Sequence, residues 1–345
     1  MIKLLSHLSL VIPSLLHDNL TPVKNNNNTI ALPKHANFPA PRDALEFAIL
    51  SQIIYSQTNC TDPRLPTHLT CHLYEEKKDG TNVMLASSKS QNYIAIIYEG
   101  TNNVKNWAHD LNISLMLLGP ANDPLITTNT TTAPGPQVHA GFNEAVFNEG
   151  LFDELFSRVK LLSENDSSLT KVIVSGHSLG AANAIITGVA MAFLDPSLNV
   201  EVYNYGCPKT GDAAWKKFVD SSCNALGRDG NLAVWRFVYE EDIVPRVPLE
   251  DDKFKHVGHT VQLESVGGAG AYYFHYGDQN LRLRGVPRNW ESEALLSTDS
   301  VSSHNIDNYI SYMKKSVNDP QRYFANSFLP TKKVNSDIKV LGMMS

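Results

Sequence analysis

Residues 172–183 read VIVSGHSLGAAN and place one serine, Ser178, between two glycines directly after an apolar, β-branched run. The run is typical of a buried strand, and the small residues after Gly180 are typical of a helix. A strand that turns sharply into a helix at Gly-x-Ser-x-Gly lifts the serine above the carboxyl edge of a sheet. The stretch therefore predicts a nucleophile at Ser178, although an ordinary strand-to-helix turn is the alternative.

The segments around this turn alternate between strands and helices. Strands are predicted at 93–98, 171–175, 200–206 and 232–239, and helices at 43–55, 142–162, 181–193 and 213–219. Such alternation predicts an α/β fold with a mostly parallel central sheet and helices on both faces. Residues 119–137 are rich in Pro and Thr and predict a surface loop.

The sequence contains no internal repeat and no sign of a second domain. We expect one domain over residues 44–312, preceded by a linker or pro-segment at 17–43 with four consecutive asparagines. Residues 313–345 form a tail to which the sequence assigns no role.

Composition and charge argue against some functions. The chain has 345 residues, of which 42% are hydrophobic and 19% charged, as in soluble globular proteins with a sizeable core. The net charge of −6 supplies no broad basic field for nucleic acid, so no nucleic-acid partner is expected. No Cys-x-x-Cys pair or metal-binding cluster occurs in the sequence, and we expect neither a cofactor nor calcium dependence.

Several features of the sequence favour secretion. Residues 1–16 place Lys3 before an apolar run of the length found in signal peptides, although His7 and Pro13 interrupt it. Asparagine glycosylation takes place in the secretory pathway. Its five Asn-x-Ser/Thr acceptor sequences lie at Asn27, Asn59, Asn112, Asn129 and Asn165.

The cysteines also suit an oxidising compartment, because their number is even. There are four, Cys60, Cys71, Cys207 and Cys223, which allow three pairings. Short loops favour Cys60 with Cys71 and Cys207 with Cys223.

A serine hydroxyl needs a base and an orienting acid, which in a fold of this kind follow the serine along the chain. Asp242 comes soon after the predicted strand 232–239, and Glu240 and Glu241 are rivals. His304 lies beyond this acid and is the candidate base. Three further histidines share that chain order: His256, His259 and His275.

Five motifs follow one another along the chain: YEGTNNVKNWAHDL (98–111), VHAGF (138–142), GHSLG (176–180), YGCPKTGD (205–212) and DIVPRVP (242–248). In order and spacing they resemble the motifs of the class 3 lipases, the fungal-type triacylglycerol lipase family, and the resemblance covers about residues 44–312. It implies an α/β-hydrolase fold with a helical lid.

The resemblance also implies roles for individual residues. Ser178, Asp242 and His304 match the family's catalytic triad, whereas His256 matches a structural motif. The oxyanion hole would be formed by the backbone N–H of Leu179 and by the backbone N–H and hydroxyl of Thr101.

One residue departs from the family pattern, because Glu99 stands where the family usually has arginine. A backbone donor at the oxyanion hole does not depend on that side chain. The exchange alters ion pairing nearby, since Glu99 would repel Asp110, and Lys105 is a candidate to compensate.

The segment after Thr101 resembles the family's lid helix. Its apolar residues recur at helical spacing and form one face, which elsewhere would indicate a core helix. These residues are Val104, Trp107, Ala108 and Leu111. A lid would cover the site in water and turn its apolar face to a lipid surface. A glycan on Asn112 would keep the end of this helix in water.

The sequence thus predicts a secreted, monomeric lipase that hydrolyses glycerolipid esters, with triacylglycerols as the expected substrates, during transient contact with a membrane or droplet. Phospholipase, galactolipase or feruloyl-type esterase activity is the alternative within enzymes. A lipid-binding protein without catalysis is the alternative from another class, and it would require a broken triad or oxyanion loop.

Overall fold

A computed structural model describes the fold of residues 39–57, 59–78, 80–101, 114–126, 135–222, 230–239, 242–248, 253–264, 271–276 and 302–318. The predicted signal peptide, most of the linker and tail, and the predicted lid lie outside these residues. So do the sequons at Asn27, Asn112 and Asn129, and Glu240 and Glu241.

The described residues form ten strands in two sheets. The strands are β1 (Thr70–Glu76), β2 (Asn82–Ser88), β3 (Tyr93–Tyr98), β4 (Leu115–Leu117), β5 (Gln137–His139), β6 (Lys171–His177), β7 (Val200–Tyr205), β8 (Leu232–Tyr239), β9 (His259–Glu264) and β10 (Ala271–Tyr276). The large sheet has the order β1-β2-β3-β6-β7-β8-β9-β10, and β4 pairs with β5. From β3 to β9 the neighbours run parallel, whereas β1, β2 and β10 pair antiparallel.

Helices cover both faces of the large sheet. They are α1 (Pro41–Ile53), α2 (Ala140–Phe147), α3 (Leu151–Asn165), α4 (Leu179–Leu194), α5 (Ala213–Ser222) and α6 (Ile306–Asn318). Helices α1 and α6 contribute to one core, and α2 to α5 contribute to the other. None of the described helices is long and apolar enough to cross a membrane.

The alternation of side chains along the strands feeds both cores. On β6, Val172 and Val174 face the core with α4, while Ile173 faces the core with α1 and α6. All three are at most 3% exposed. A strand that is buried on both faces reads as a continuous apolar run, which explains why the sequence marks β6 so clearly.

The structure corrects the single helix predicted over 142–162. The chain forms α2 and α3 instead, separated by the short 3₁₀ turn Asn148–Gly150. Glu149 and Gly150 have φ values of 54° and 72°, which no α-helix accommodates. Apolar periodicity continues across the break because both helices bury a face against the same core.

The element bounds also differ from the predicted domain bounds. Helix α1 begins at Pro41, within the predicted linker, and α6 ends at Asn318, within the predicted tail. Strands β4 and β5 flank the predicted loop, and β5 includes residue 137, the last residue of that loop.

The predicted disulfide pairing is half right. Cys60 and Cys71 form a disulfide, with their Cα atoms 5.3 Å apart. The second pairing is wrong, because Cys207 is a free, buried cysteine. Its Sγ lies 3.2 Å from the carbonyl oxygen of Pro208, and Cys223 lies outside the described residues.

Candidate active site

Ser178 lies at the turn between β6 and α4. Its backbone has φ 60° and ψ −128°, a conformation that residues with a side chain rarely adopt. The N–H of Ser178 donates to the carbonyl of Tyr205 at the end of β7, at 2.9 Å. This constrained turn holds the serine at the carboxyl edge of the sheet and at the N-terminus of a long helix, where developing negative charge is stabilised.

Asp242 and His304 meet at the same edge. Asp242 follows β8, and His304 lies two residues before the start of α6. Nδ1 of His304 lies 2.8 Å from Oδ2 and 3.0 Å from Oδ1 of Asp242, and both side chains are buried. A carboxylate that accepts from Nδ1–H leaves Nε2 as the basic nitrogen.

The residue before Ser178, His177, contacts the base of this pair through its ring. His177 directly precedes Ser178, and its ring stacks on that of His304 with centroids 4.4 Å apart. The Oγ of Ser178 and Nε2 of His304 are both buried, and neither has a hydrogen-bond partner among the described residues. The structure therefore brings the three predicted residues to one edge, with the acid–base contact formed.

Two further donors hold the Asp242 carboxylate. The backbone N–H of Val244 donates to Oδ1 at 2.9 Å, and the hydroxyl of Tyr309 on α6 donates to Oδ2. Burial, followed by the charge of Asp242, raises the pKa of Tyr309 well above its ordinary value. Tyr309 therefore remains a protonated donor. The sequence assigned no role to Tyr309, because it showed only that this tyrosine lies in the stretch after His304.

Gly206 lies beneath the acid–base pair. Its φ is 61°, and a Cβ at this position would lie 2.8 Å from both Oδ2 of Asp242 and Cε1 of His304. A side chain here would be strained and would push on both groups. The motif around residues 205–212 contains this glycine, but only the structure shows what it touches.

Two of the rival bases, His256 and His259, make other contacts. His256 donates from Nε2 to the carbonyl of Pro245 at 2.6 Å, and His259 stacks on Trp235 with centroids 4.8 Å apart. Burial, followed by the charge of Arg236, lowers the pKa of His256 well below its ordinary value. His275 lies on the edge strand β10. Among the histidines whose side chains the structure describes, His304 is the one that contacts Asp242.

The predicted oxyanion residues flank the serine in the fold. Leu179 is the first residue of α4, and Thr101 follows β3, which is the parallel neighbour of β6. Glu99 in the same loop is buried, and its carboxylate accepts a hydrogen bond from the side-chain amide of Asn82. Whether Glu99 repels Asp110 stays a prediction, since Asp110 lies outside the described residues, as does Lys105.

The lid residues Val104, Trp107, Ala108 and Leu111 likewise lie outside the described residues. Within the part of the chain that the structure describes, no group of three or more His, Cys, Asp or Glu side chains could hold a metal ion.

Comparison with known proteins adds independent findings. Residues 95–252 match the family model for lipase (class 3). A lipase of Rhizomucor miehei is 30% identical over 181 residues, which cover 52% of this chain and 44% of that protein. Phospholipase A1-IIbeta of Arabidopsis thaliana is 24% identical over 194 residues, covering 50% and 43% of the two chains. The chain thus spans less than half the length of these two curated relatives.

A comparison of the fold with solved structures also finds a lipase. The solved structure of Rhizomucor miehei triacylglyceride lipase matches with a TM-score of 0.53 and 25% sequence identity, covering 64% of this chain and 79% of that chain. The mostly parallel central sheet with helices on both faces agrees with this match. The chain has an α/β-hydrolase fold, and its residues 95–252 are similar to the class 3 lipases.

Proposed function

We propose that this protein is a secreted serine lipase that hydrolyses carboxylic ester bonds of glycerolipids, with triacylglycerols as the main substrates. The observation that carries the proposal is the buried contact between Asp242 and His304, 2.8 Å at its shortest, at the sheet edge where the turn presents Ser178. A buried carboxylate–imidazole pair next to an elbow serine is the arrangement that acyl transfer needs.

In the first half of the reaction, Ser178 attacks the ester carbonyl carbon. Nε2 of His304 accepts the proton from Oγ as the new C–O bond forms, and the carbonyl electron pair moves onto the oxygen. The N–H groups of Leu179 and Thr101 and the Thr101 hydroxyl are the donors expected for that oxyanion. Asp242 holds the imidazolium in place and stabilises its charge.

In the second half, the tetrahedral intermediate expels the alcohol. The glycerol oxygen takes the proton from His304, so a triacylglycerol releases a diacylglycerol and leaves an acyl group on Ser178. Water then attacks this acyl-enzyme, with His304 again accepting the proton. Collapse of the second intermediate releases the fatty acid and restores the Ser178 hydroxyl.

Substrate access would be controlled by residues 102–111. Their apolar face follows directly after Thr101, where a helix could cover the site in water and open at a lipid surface. This arrangement implies transient contact with a membrane or droplet.

Secretion is supported by the covalent structure. The Cys60–Cys71 disulfide suits an oxidising compartment, and the sequon asparagines Asn59 and Asn165 are both exposed. Mass mapping of the secreted protein should find glycans on these two residues. An intracellular protein with a reduced Cys60 would contradict the localisation.

The test of function is the hydrolysis rate of tributyrin as its concentration crosses the solubility limit. We expect the wild type to be active and its rate to jump when droplets form. Ser178→Ala should reduce kcat by about 10⁴-fold or more. The matched control is Ser175→Ala, which removes another buried hydroxyl from β6, one that pairs with Ser51 at 3.1 Å.

Two outcomes would contradict the proposal. A Ser178→Ala variant with unchanged kcat would exclude this serine as the nucleophile, and a wild type inactive on every ester would favour a lipid-binding role. A hydrolysis rate without a jump at the solubility limit would instead argue against an interfacial lid and favour an esterase.

Phospholipase activity is the second candidate, because a curated relative carries the name phospholipase A1. Rates on tributyrin droplets and on phosphatidylcholine vesicles, measured with the same preparation, separate the two. A higher rate on the vesicles would identify phospholipids as the preferred substrates.

A further inference from the structure

Tyr55 and His177 form a second pair of hydrogen-bonded side chains beside His304. The hydroxyl of Tyr55 lies 2.8 Å from Nδ1 of His177, and Nε2 of His177 lies 2.8 Å from the backbone carbonyl oxygen of His304. His177 is buried, and its ring stacks on that of His304. The reaction steps above use neither side chain.

The chemistry of the three groups fixes the direction of both hydrogen bonds. A carbonyl oxygen only accepts, so Nε2 of His177 carries the hydrogen. Burial, followed by the charge of His304, lowers the pKa of His177 well below its ordinary value, which keeps the ring neutral. A neutral ring with Nε2–H has a lone pair on Nδ1, so Tyr55 must donate to it.

Tyr55 is suited to be a permanent donor. Burial, followed by the charge of Glu99, raises its pKa above the ordinary value for tyrosine. The chain of donors therefore runs one way, from the Tyr55 hydroxyl through the His177 ring to the main chain of His304.

The same hydroxyl touches the loop that carries the predicted oxyanion donor. A Cβ added to Gly100 would lie 2.2 Å from the Tyr55 hydroxyl and 2.5 Å from the carbonyl oxygen of His177. Gly100 directly precedes Thr101. Tyr55 thus lies between the backbone of the oxyanion loop and the ring that holds His304.

We infer that Tyr55 and His177 are positioning residues for the base: the Tyr55 hydroxyl fixes the His177 ring, which anchors the His304 main chain and gives its imidazole a neutral aromatic surface. The neutral ring matters because His304 becomes positive during each proton transfer, and a second positive ring in a stack would oppose it. This inference rests on the proposed function of His304.

The first test compares two tyrosine variants on a soluble short-chain p-nitrophenyl ester. Tyr55→Phe should lower kcat about tenfold with KM within about twofold, because a lost positioning hydrogen bond acts on the reaction and not on binding. The matched control, Tyr74→Phe, removes a hydroxyl that donates to the Gln57 carbonyl at 2.6 Å. Its kcat should stay within about twofold of wild type.

The second test separates the hydrogen bond of His177 from its ring. His177→Gln keeps a side-chain N–H donor and loses the ring, whereas His177→Phe keeps a ring and loses the donor. We expect both to lower kcat, with His177→Gln retaining more activity. Equal kcat for Tyr55→Phe and Tyr74→Phe, or a His177→Phe variant as active as wild type, would overturn the inference.

A third readout does not depend on catalysis. In ¹⁵N-labelled protein, Nε2 of His177 should be protonated and Nδ1 unprotonated between pH 5 and 8, with the signals assigned by their loss in His177→Gln. Tyr55→Phe should shift the Nδ1 resonance. An Nδ1–H tautomer or a titrating ring would overturn the inference. An inactive wild type with the expected tautomer would instead count against the proposed function alone.

Discussion

The two nitrogens of His304 face contrasting surroundings. Nδ1 meets a carboxylate that also accepts from Val244 and Tyr309. Nε2 has no hydrogen-bond partner among the described residues, and neither has the Oγ of Ser178. The proposed acid is thus fixed in advance, while the proposed nucleophile and the Nε2 of the proposed base retain free hydrogen-bonding capacity. The hydrogen bonds that are formed in advance are thus concentrated around Asp242, which exchanges no proton in the proposed reaction.

The largest expected effect comes from the acid itself. Asp242→Asn should lower kcat by about 10³- to 10⁴-fold with little change in KM, because an amide cannot hold the basic tautomer or stabilise the imidazolium. The control is Asp307→Asn, an exposed carboxylate at the start of the helix that follows His304. Steady-state kinetics on a soluble ester measure both. Nearly wild-type activity of Asp242→Asn would show that the acid side is not required.

The next effect tests how tightly the acid side is packed. Gly206→Ala should lower kcat by about 10²-fold, because its Cβ would displace Asp242 and His304 and a misplaced catalytic group is costly. Gly150→Ala is the matched control, since Gly150 also has positive φ, at 72°, but a Cβ there meets nothing within 4 Å. Both variants should lose about 1 kcal/mol of unfolding free energy from backbone strain. An equal kcat in the two would show that the packing under the pair is loose.

A smaller effect is expected from the third donor to Asp242. Tyr309→Phe should lower kcat about tenfold, because one hydrogen bond to a buried charge is lost while two remain. Tyr203→Phe is the control, because this buried tyrosine donates to Glu201 at 3.0 Å and does not touch the triad. Kinetics and thermal unfolding of both variants separate a local effect on Asp242 from a general loss of stability.

The smallest effect on catalysis tests whether unpartnered polar atoms by themselves indicate function. Both ring nitrogens of His139 are buried without a hydrogen-bond partner in the described structure, and its ring stacks on Phe142 at 4.3 Å. His139→Phe preserves this stack, and kcat should stay within about twofold of wild type. A loss of tenfold or more would place His139 in the catalytic machinery.

The same variant should change the dependence of stability on pH. Burial, followed by the charge of Lys253, lowers the pKa of His139 to about 4. Below about pH 6.5 the unfolded chain binds a proton that the folded protein refuses, so the wild type loses stability as the pH falls towards 4. The loss reaches ~3 kcal/mol at pH 4. Urea unfolding at pH 8 and pH 4.5 should show a smaller decrease for His139→Phe.

The sequence predicted the parallel centre of the fold well, because the strands there are buried on both faces. Strand β3 matches its predicted range. Strand β6 is two residues longer than its own predicted range, because it continues to the turn before Ser178. The strands outside this centre carry weaker signals. Edge strand β1 has residues of intermediate burial along most of its length, so neither a continuous apolar run nor a clean alternation marks it.

The site was predicted residue by residue but not contact by contact. Ser178, Asp242 and His304 were predicted from the order of the motifs, which can be read without coordinates. Tyr55 could not be found in this way, because it contacts His177 across 122 residues of sequence. Tyr309 and Asp242 are likewise separated by 67 residues of sequence. A single sequence contains no signal for pairings of that range, since they depend on how α1 and α6 pack on the sheet.

That packing has a consequence for biosynthesis. Helices α1 and α6, the first and last that the structure describes, contact each other on one face of the sheet, and the proposed base lies two residues before α6. A ribosome must therefore synthesise nearly the whole domain before His304 can reach Asp242. A nascent chain that already displays its serine elbow would lack its base, so the proposed hydrolase would remain inactive against the lipids of the compartment in which it is made until its C-terminal helix docks.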